Sequence, residues 1–378
     1  MKIVFTGGGT AGHIFPGLAV ADSLRSLTQE QNRQLELFWI GSKKENEQDL
    51  VREYDIPFFS IPTGKLRRYF SLRNVLDLFK VLGGIIASLH LLLKIKPDML
   101  FSKGGYVAVP PCIAAKLLRI PIMVHESDFS PGLTTRITAK FAGKIFVSYK
   151  ETIAMFAQNL QANCVYTGNP VRKKFYTASG ERGKRFLAFP DTNKKILLVI
   201  GGSLGAAQIN NLVAESITAL CENFFVVHQL GAANFAQHTE IEKKLAAYNP
   251  TLVQNYKAFQ FIGFEMPDVL AASDLVVSRA GANSLWEIIS QAKPCILIPL
   301  STASSRGDQY ENASFFEAAA CAKVLTDKNV TAQNFLNCIT ELITDEKKYK
   351  DMCAASKNIL PEPASTSIAK IILNQEEK

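Results

Sequence analysis

Short apolar runs alternate along this chain with stretches of helical period, and the alternation opens the same way twice. Lys2 to Thr6 is an apolar run, Gly7 to Gly12 a glycine-rich turn, and Pro16 to Leu27 an amphipathic stretch with apolar residues three and four apart. Lys195 to Ile200, Gly201-Gly202-Ser203-Leu204-Gly205 and Ala206 to Leu220 repeat that order. Strand-like runs follow the first opening at Leu35 to Ile40, Met99 to Phe101, Pro121 to His125 and Lys144 to Ser148. Phe224 to Gln229, Gln260 to Ile262, Leu275 to Ser278 and Cys295 to Pro299 follow the second. Strands separated by helices predict an α/β protein with two Rossmann-like, doubly wound parallel sheets facing a shared cleft, with ligands at the carboxyl ends of the strands. The turn formers Thr167-Gly168-Asn169-Pro170 mark the hinge, giving 1–166 and 167–378 as the two domains. The tail from about Thr331 is helical in pattern, and its last helix is a candidate to pack back onto the first domain.

Composition agrees with two ordinary cores. The 378 residues are 47% hydrophobic and 20% charged, and no segment has the low hydrophobicity of disorder. The start has too short an apolar run for a secretory signal, and Val81 to Leu93, interrupted by Gly83, Gly84, Ser88 and His90, falls short of the ~20 residues of a membrane span. Seven scattered cysteines without a Cys-x-x-Cys pair read as core fillers in a reducing compartment. The five histidines form no His-x-x-His pair and there is no Asp-x-Asp, so no metal is expected. The formal charge of +8 is uneven: residues 1–170 carry 20 Lys/Arg against 13 Asp/Glu, and Gly64 to Lys103 alone is +6. That patch calls for an anionic partner.

Gly7-x-Gly9-x-x-Gly12 matches the dinucleotide fingerprint, in which glycine lets backbone approach a diphosphate at a helix N-terminus. The second strand, however, runs into Lys43 and Lys44 where a dinucleotide enzyme would carry an acid for the ribose, which weakens a hydride-transfer reading. His13 stands at the helix start, as a proton acceptor for a substrate hydroxyl or as a packing histidine. Lys103-Gly104-Gly105-Tyr106 is a second small-residue loop, able to wrap a phosphate or to be a plain turn. In the second half, Arg279-Ala280-Gly281-Ala282 turns from a strand into a helix from about Asn283, whose N–H groups suit a diphosphate. Glu287 falls one turn in, either accepting two hydrogen bonds from a ribose diol or favouring the helix dipole. Gln309 is a sugar-binding amide or a surface polar residue.

Taken in order, Gly7-Gly8-Gly9-Thr10-Ala11-Gly12-His13, Lys103-Gly104-Gly105-Tyr106, His125-Glu126-Ser127-Asp128, Gly168-Asn169-Pro170-Val171-Arg172, Gly201-Gly202-Ser203-Leu204-Gly205-Ala206, Arg279-Ala280-Gly281 with Glu287, and Gly307-Asp308-Gln309 resemble the MurG family nearly end to end. The resemblance implies a GT-B fold and inverting transfer of GlcNAc from UDP-GlcNAc to the 4-hydroxyl of the muramoyl sugar of lipid I, giving lipid II, without a metal or other cofactor. It implies that Thr10, Ala11 and Gly12 line the donor sugar, with His13 a candidate base. Arg172, Ser203, Gly281, Ala282, Glu287 and Gln309 hold UDP-GlcNAc, and Ile262 meets uracil through its backbone. Lys103, Gly104, Gly105 and Tyr106 are placed at the acceptor diphosphate. Two departures stand out. Many members have His-Glu-Gln-Asn where this chain has His125-Glu126-Ser127-Asp128, which makes Asp128 either a sugar contact or a second candidate base, and Asp308-Gln309 replaces two glutamines. The region Lys65 to Lys96 acquires a partner in the anionic membrane that anchors lipid I, so the resemblance places the chain peripherally at the cytoplasmic face of a bacterial membrane, with no nucleic-acid partner. The competing readings are another GT-B reaction on UDP-GlcNAc, epimerisation among them, and a catalytically silent UDP-sugar-binding protein.

Overall fold

A computed structural model describes residues 1–64, 72–190, 192–202, 205–301, 307–359 and 362–374, the side chains of 72–76 excepted. The chain divides into two compact units, Met1–Arg172 with Pro361–Lys378, and Lys173–Leu360. The break thus follows Arg172, where turn chemistry had placed it before Thr167.

The first unit carries β1 (Lys2–Thr6), β2 (Glu36–Gly41), β3 (Phe58–Ser60), β4 (Met99–Ser102), β5 (Ile122–Glu126), β6 (Lys144–Val147) and β7 (Cys164–Tyr166), all parallel in the order β3-β2-β1-β4-β5-β6-β7. The second carries β8 (Lys195–Ile200), β9 (Phe224–Gln229), β10 (Tyr256–Phe259), β11 (Leu275–Ser278), β12 (Cys295–Leu297) and β13 (Ala322–Val324), parallel in the order β10-β9-β8-β11-β12-β13. Helices cover both faces of a parallel sheet, so its strands are buried on two sides and read as continuous apolar runs. The strand order reverses between β1 and β4 and between β8 and β11, and the loops leaving those strands line the ligand crevice of such a sheet.

Packing explains three departures from the sequence reading. The strand expected at Gln260 to Ile262 lies earlier, at Tyr256–Phe259, in register with Val226 to Gln229. The edge strands β3, β7 and β13, three residues each, went unread because pairing rather than composition makes them. The stretch judged too short for a membrane span is a 24-residue helix, Leu72–Ile95, and its segment Asp77–Ile95 is long and apolar enough, at mean hydropathy 1.8, to cross one by length and composition. Gly83 and Gly84 do not break it, and at Gly84 the packing requires the absent side chain: a Cβ there would lie 2.4 Å from the Pro62 carbonyl oxygen. Val81, Gly84, Ser88, Leu92 and Ile95 form its buried stripe against the first unit, as expected of a helix laid on a domain.

The helix Ala364–Asn374 belongs to the first unit. Its Ile368, Ala369, Ile372 and Leu373 enter the same core as Leu18, Leu24, Phe5 and Trp39. The second unit has its own core, built on Leu197, Val199, Val226, Val277 and Ile296.

Candidate functional site

At the β1–β4 switch point of the first unit, the glycine loop is held by a carboxylate of the protein itself. Gly9, at φ 93°, donates its N–H to Glu47 Oε1 at 2.7 Å, and Glu47 also accepts the Ser42 hydroxyl at 2.6 Å. Lys44 Nζ closes the clamp on the Gly9 carbonyl at 2.9 Å. Glu47 is 2% exposed, so one N–H of this anion-attracting loop is already spent on an internal anion. Thr10 precedes the single turn Ala11–His13, where the His13 N–H returns to the Thr10 carbonyl at 3.0 Å. The second loop packs directly on this turn: a Cβ on Gly105 would lie 2.3 Å from the Gly8 carbonyl oxygen and 2.9 Å from the His13 ring, and one on Gly9 2.8 Å from the Tyr106 ring. The glycines are therefore required for the two loops to touch, which brings Thr10, Ala11, Gly12, His13, Gly104, Gly105 and Tyr106 together.

Lys103 differs from the reading that put it on a phosphate. It is 2% exposed, and its Nζ donates to Ser127 Oγ at 2.6 Å, which in turn donates to Asn169 Oδ1 at 2.6 Å. Burial lowers its pKa to about 8 against the opposing pull of Glu126 and Asp128. Glu126, at the end of β5, accepts the N–H groups of Ser127 (2.9 Å), Asp128 (3.1 Å) and Gly132 (3.0 Å). His125 donates from Nε2 to the Gly168 carbonyl at 3.1 Å, and burial together with the Lys103 charge pushes its pKa well down, so its ring is neutral. Arg172 lies with its guanidinium 4.3 Å from the centre of the Phe15 ring and hydrogen-bonds the Tyr54 side chain.

In the second unit, Gly205 (φ 81°) would set a Cβ 1.9 Å from the Leu230 carbonyl oxygen and admits no side chain, whereas Gly202 (φ 82°) faces open space. Gln229 ties this loop to the next: its Nε2 donates to the Gly202 carbonyl at 3.2 Å and its Oε1 accepts the Ile262 N–H at 2.8 Å. The Ile262 N–H is thus used inside the protein. Behind the loop, Asn210 donates to the Leu230 carbonyl (3.1 Å) and so presents Oδ1 to His228 Nε2–H (3.1 Å), while His228 Nδ1 accepts from the Tyr256 hydroxyl (3.1 Å). Burial lowers the His228 pKa to about 3.

The helix after β11 is Ala282–Ser290. Its N-cap Gly281 supplies no side chain, and nothing stands within 4 Å of where a Cβ would be. Glu287 is its sixth residue, beyond the first turn, which removes the helix-dipole explanation offered above. Arg279 braces the turn by donating to Gln208 Oε1 (2.9 Å) and the Ile298 carbonyl (2.8 Å). Gln309, in the first turn of Asp308–Ala318, accepts the Leu300 N–H at 2.9 Å on its Oε1, which leaves its NH₂ to donate. Ser203, Lys65, Arg67 and Arg68 lie outside the described residues, as does the side chain of Arg73. Among the described residues no group of three or more His, Cys, Asp or Glu could hold a metal ion. Glu47 and Gln229 were missed in the sequence, where only Ser42-x₄-Glu47, flanking a strand end, hinted at the first.

Both halves match family models: the glycosyltransferase family 28 N-terminal domain over residues 3–147 and the family 28 C-terminal domain over 196–369. A relative from Treponema denticola, named UDP-N-acetylglucosamine--N-acetylmuramyl-(pentapeptide) pyrophosphoryl-undecaprenol N-acetylglucosamine transferase, is 46% identical over 383 residues, covering 98% of this chain and 96% of its own length. A Bacillus cereus relative of the same name, numbered 2, is 40% identical over 350 residues, covering 92% and 93%. In fold, the crystal structure of Acinetobacter baumannii MurG matches with a TM-score of 0.73 at 23% identity, each chain covered to 99%. The UDP-GlcNAc 2-epimerase of Neisseria meningitidis matches at 0.72 and 17%, covering 99% of this chain and 100% of its own. Two doubly wound units that match the two family 28 domains make this chain a UDP-sugar glycosyltransferase of the GT-B fold. The chain belongs to the MurG family, the UDP-N-acetylglucosamine--N-acetylmuramyl-(pentapeptide) pyrophosphoryl-undecaprenol N-acetylglucosamine transferases.

Proposed function

We infer that this chain transfers GlcNAc from UDP-GlcNAc to the 4-hydroxyl of the muramoyl sugar of lipid I, with inversion at the anomeric carbon, and that the donor is held by the second unit. The observation that carries the donor site is the pair of open backbone positions at the β8–β11 switch point, Gly202 and Gly281. The uncapped N-terminus of Ala282–Ser290 offers N–H groups to the diphosphate, and its partial positive charge stabilises the UDP that leaves. Glu287 accepts the ribose hydroxyls, the Ile262 carbonyl reads uracil, and Ser203, Ala282 and Gln309 complete the set within the second unit.

The acceptor belongs to the first unit. Its hydroxyl loses a proton as it attacks, and His13 or Asp128 takes it, while Gly104, Gly105 and Tyr106 meet the acceptor's phosphates beside Thr10, Ala11 and Gly12. Phosphate charge is met by backbone dipoles, so the reaction runs without metal. The helix Leu72–Ile95 docks the enzyme peripherally on the cytoplasmic face of the membrane: Leu78, Phe79, Leu82, Ile86 and Leu93 are exposed along it, at 49–69%, beside Lys80 and Lys94. An exposed apolar ridge with flanking cations suits an anionic lipid surface. Incubation with UDP-GlcNAc and a short-chain lipid I analogue in EDTA tests the reading. A GlcNAc-bearing product formed at the rate seen with magnesium is expected, and abolition by EDTA would remove the metal-free mechanism.

A further inference from the structure

We propose that Lys103 is a positioning residue for the transfer reaction, a buried cation that fixes the loop carrying Asp128, rather than a ligand for the acceptor's phosphates. The inference rests on the assignment of that loop to the acceptor side. Three loops leave the carboxyl ends of β4, β5 and β7, and each sends one residue into a single buried chain of hydrogen bonds: Lys103, Ser127 and Asn169. An ammonium only donates, so the Ser127 hydroxyl accepts from Lys103 and turns its own proton to Asn169 Oδ1. The backbone of Lys103 is pinned as well, its N–H reaching the Thr6 carbonyl at 2.8 Å.

The loop after β5 hangs on Glu126, which takes the N–H groups of Ser127, Asp128 and Gly132. Lys103 is the cation facing this arrangement. The titratable groups around it are Glu126 and Asp128, which favour its charge, and His125, which is neutral. Asp128 is half-buried and reachable, whereas Lys103 and Ser127 are not. With the cation removed, Glu126 and Asp128 lose the positive charge that interacts with both, and the loop responds by binding a proton or by shifting. Either change spoils the carboxylate offered to the acceptor. Lys103 keeps its charge below about pH 8 and loses it as pH rises through that value, so the clamp is intact at neutral pH and fails in alkali.

The test is kcat against pH from about 6 to 10 for the wild type, Lys103→Met and Lys103→Arg, at saturating UDP-GlcNAc and short-chain lipid I analogue. The wild type should decline above about pH 8, and Lys103→Arg, which stays charged, should decline at least about one pH unit later. Lys103→Met should lose about tenfold or more in kcat at pH 7, with its acidic limb moved upward and UDP affinity within about twofold of wild type. A folded Lys103→Met with the wild-type profile overturns the proposal. So does one with kcat intact and acceptor KM raised, which returns Lys103 to phosphate binding. Should Lys103→Met fail to fold, Lys103→Arg decides, and an unmoved alkaline limb rejects the clamp. An inactive wild type would strike the functional reading itself, whereas overlaid profiles of active enzymes strike only the role of Lys103.

Discussion

The Glu47 carboxylate sits 2.7 Å from the Gly9 amide nitrogen, so the first glycine loop is shaped by an acid from the helix Glu45–Arg52. Charge-assisted hydrogen bonds of this kind contribute about 1.5–3 kcal/mol each, and removing the acceptor leaves the Gly9 N–H without it. Glu47→Ala should lower the unfolding transition of the first unit by about 3 kcal/mol and reduce kcat, with UDP binding retained. Calorimetric unfolding together with UDP titration checks this, and a wild-type melting curve contradicts it.

Glu287→Ala should raise the donor KM by at least about tenfold, because the ribose loses two charged hydrogen bonds. Titration calorimetry with UDP-GlcNAc reads the effect directly. Equal affinity in variant and parent would show that the ribose is held elsewhere.

His13→Ala should reduce kcat by about a hundredfold with UDP affinity unchanged, since a positioned base contributes ~10² to 10⁴ in rate. Asp128→Asn should be milder, because many relatives carry that amide. A dead Asp128→Asn beside an active His13→Ala exchanges the two roles.

Charge introduced on the exposed ridge, as Phe79→Asp with Ile86→Asp, should abolish sedimentation with anionic vesicles while turnover of a soluble acceptor analogue stays near wild type. Reversing Arg67, Arg68 and Arg73 should weaken the same binding most at low salt. Undiminished sedimentation of both variants would make this helix face an ordinary solvated surface.

His228 supplies a stability prediction. Its folded pKa, about 3, lies below the ordinary value of 6.5, so the unfolded chain binds the extra proton between those limits. The contribution is complete above about pH 6.5 and is lost as pH falls, by about 2 kcal/mol at pH 5. Unfolding midpoints of the wild type and His228→Gln, measured from pH 7 to 5, should converge toward the acid end. Parallel curves would contradict a buried neutral imidazole.

Much of the fold was legible because central parallel strands such as Lys195–Ile200 and Leu275–Ser278 are buried on both faces and must be apolar throughout. Edge strands such as Phe58–Ser60 carry no such demand, and Tyr256–Phe259 alternates too weakly to stand out. At the site, glycine loops announce themselves by residue type. Which way Lys103 turns, and that Glu47 and Gln229 reach across to Gly9 and to Gly202 with Ile262, depends on the partners that folding brings near. Isolated polar letters do not encode those partners.

Acceptor-dependent, inverting GlcNAc transfer is read by following UDP release and product configuration together, with and without the lipid I analogue. UDP should be released only when acceptor is present, in step with a β-linked disaccharide identified by its anomeric proton coupling. UDP or a 2-epimerised sugar formed without acceptor, or an α-linked product, would contradict it.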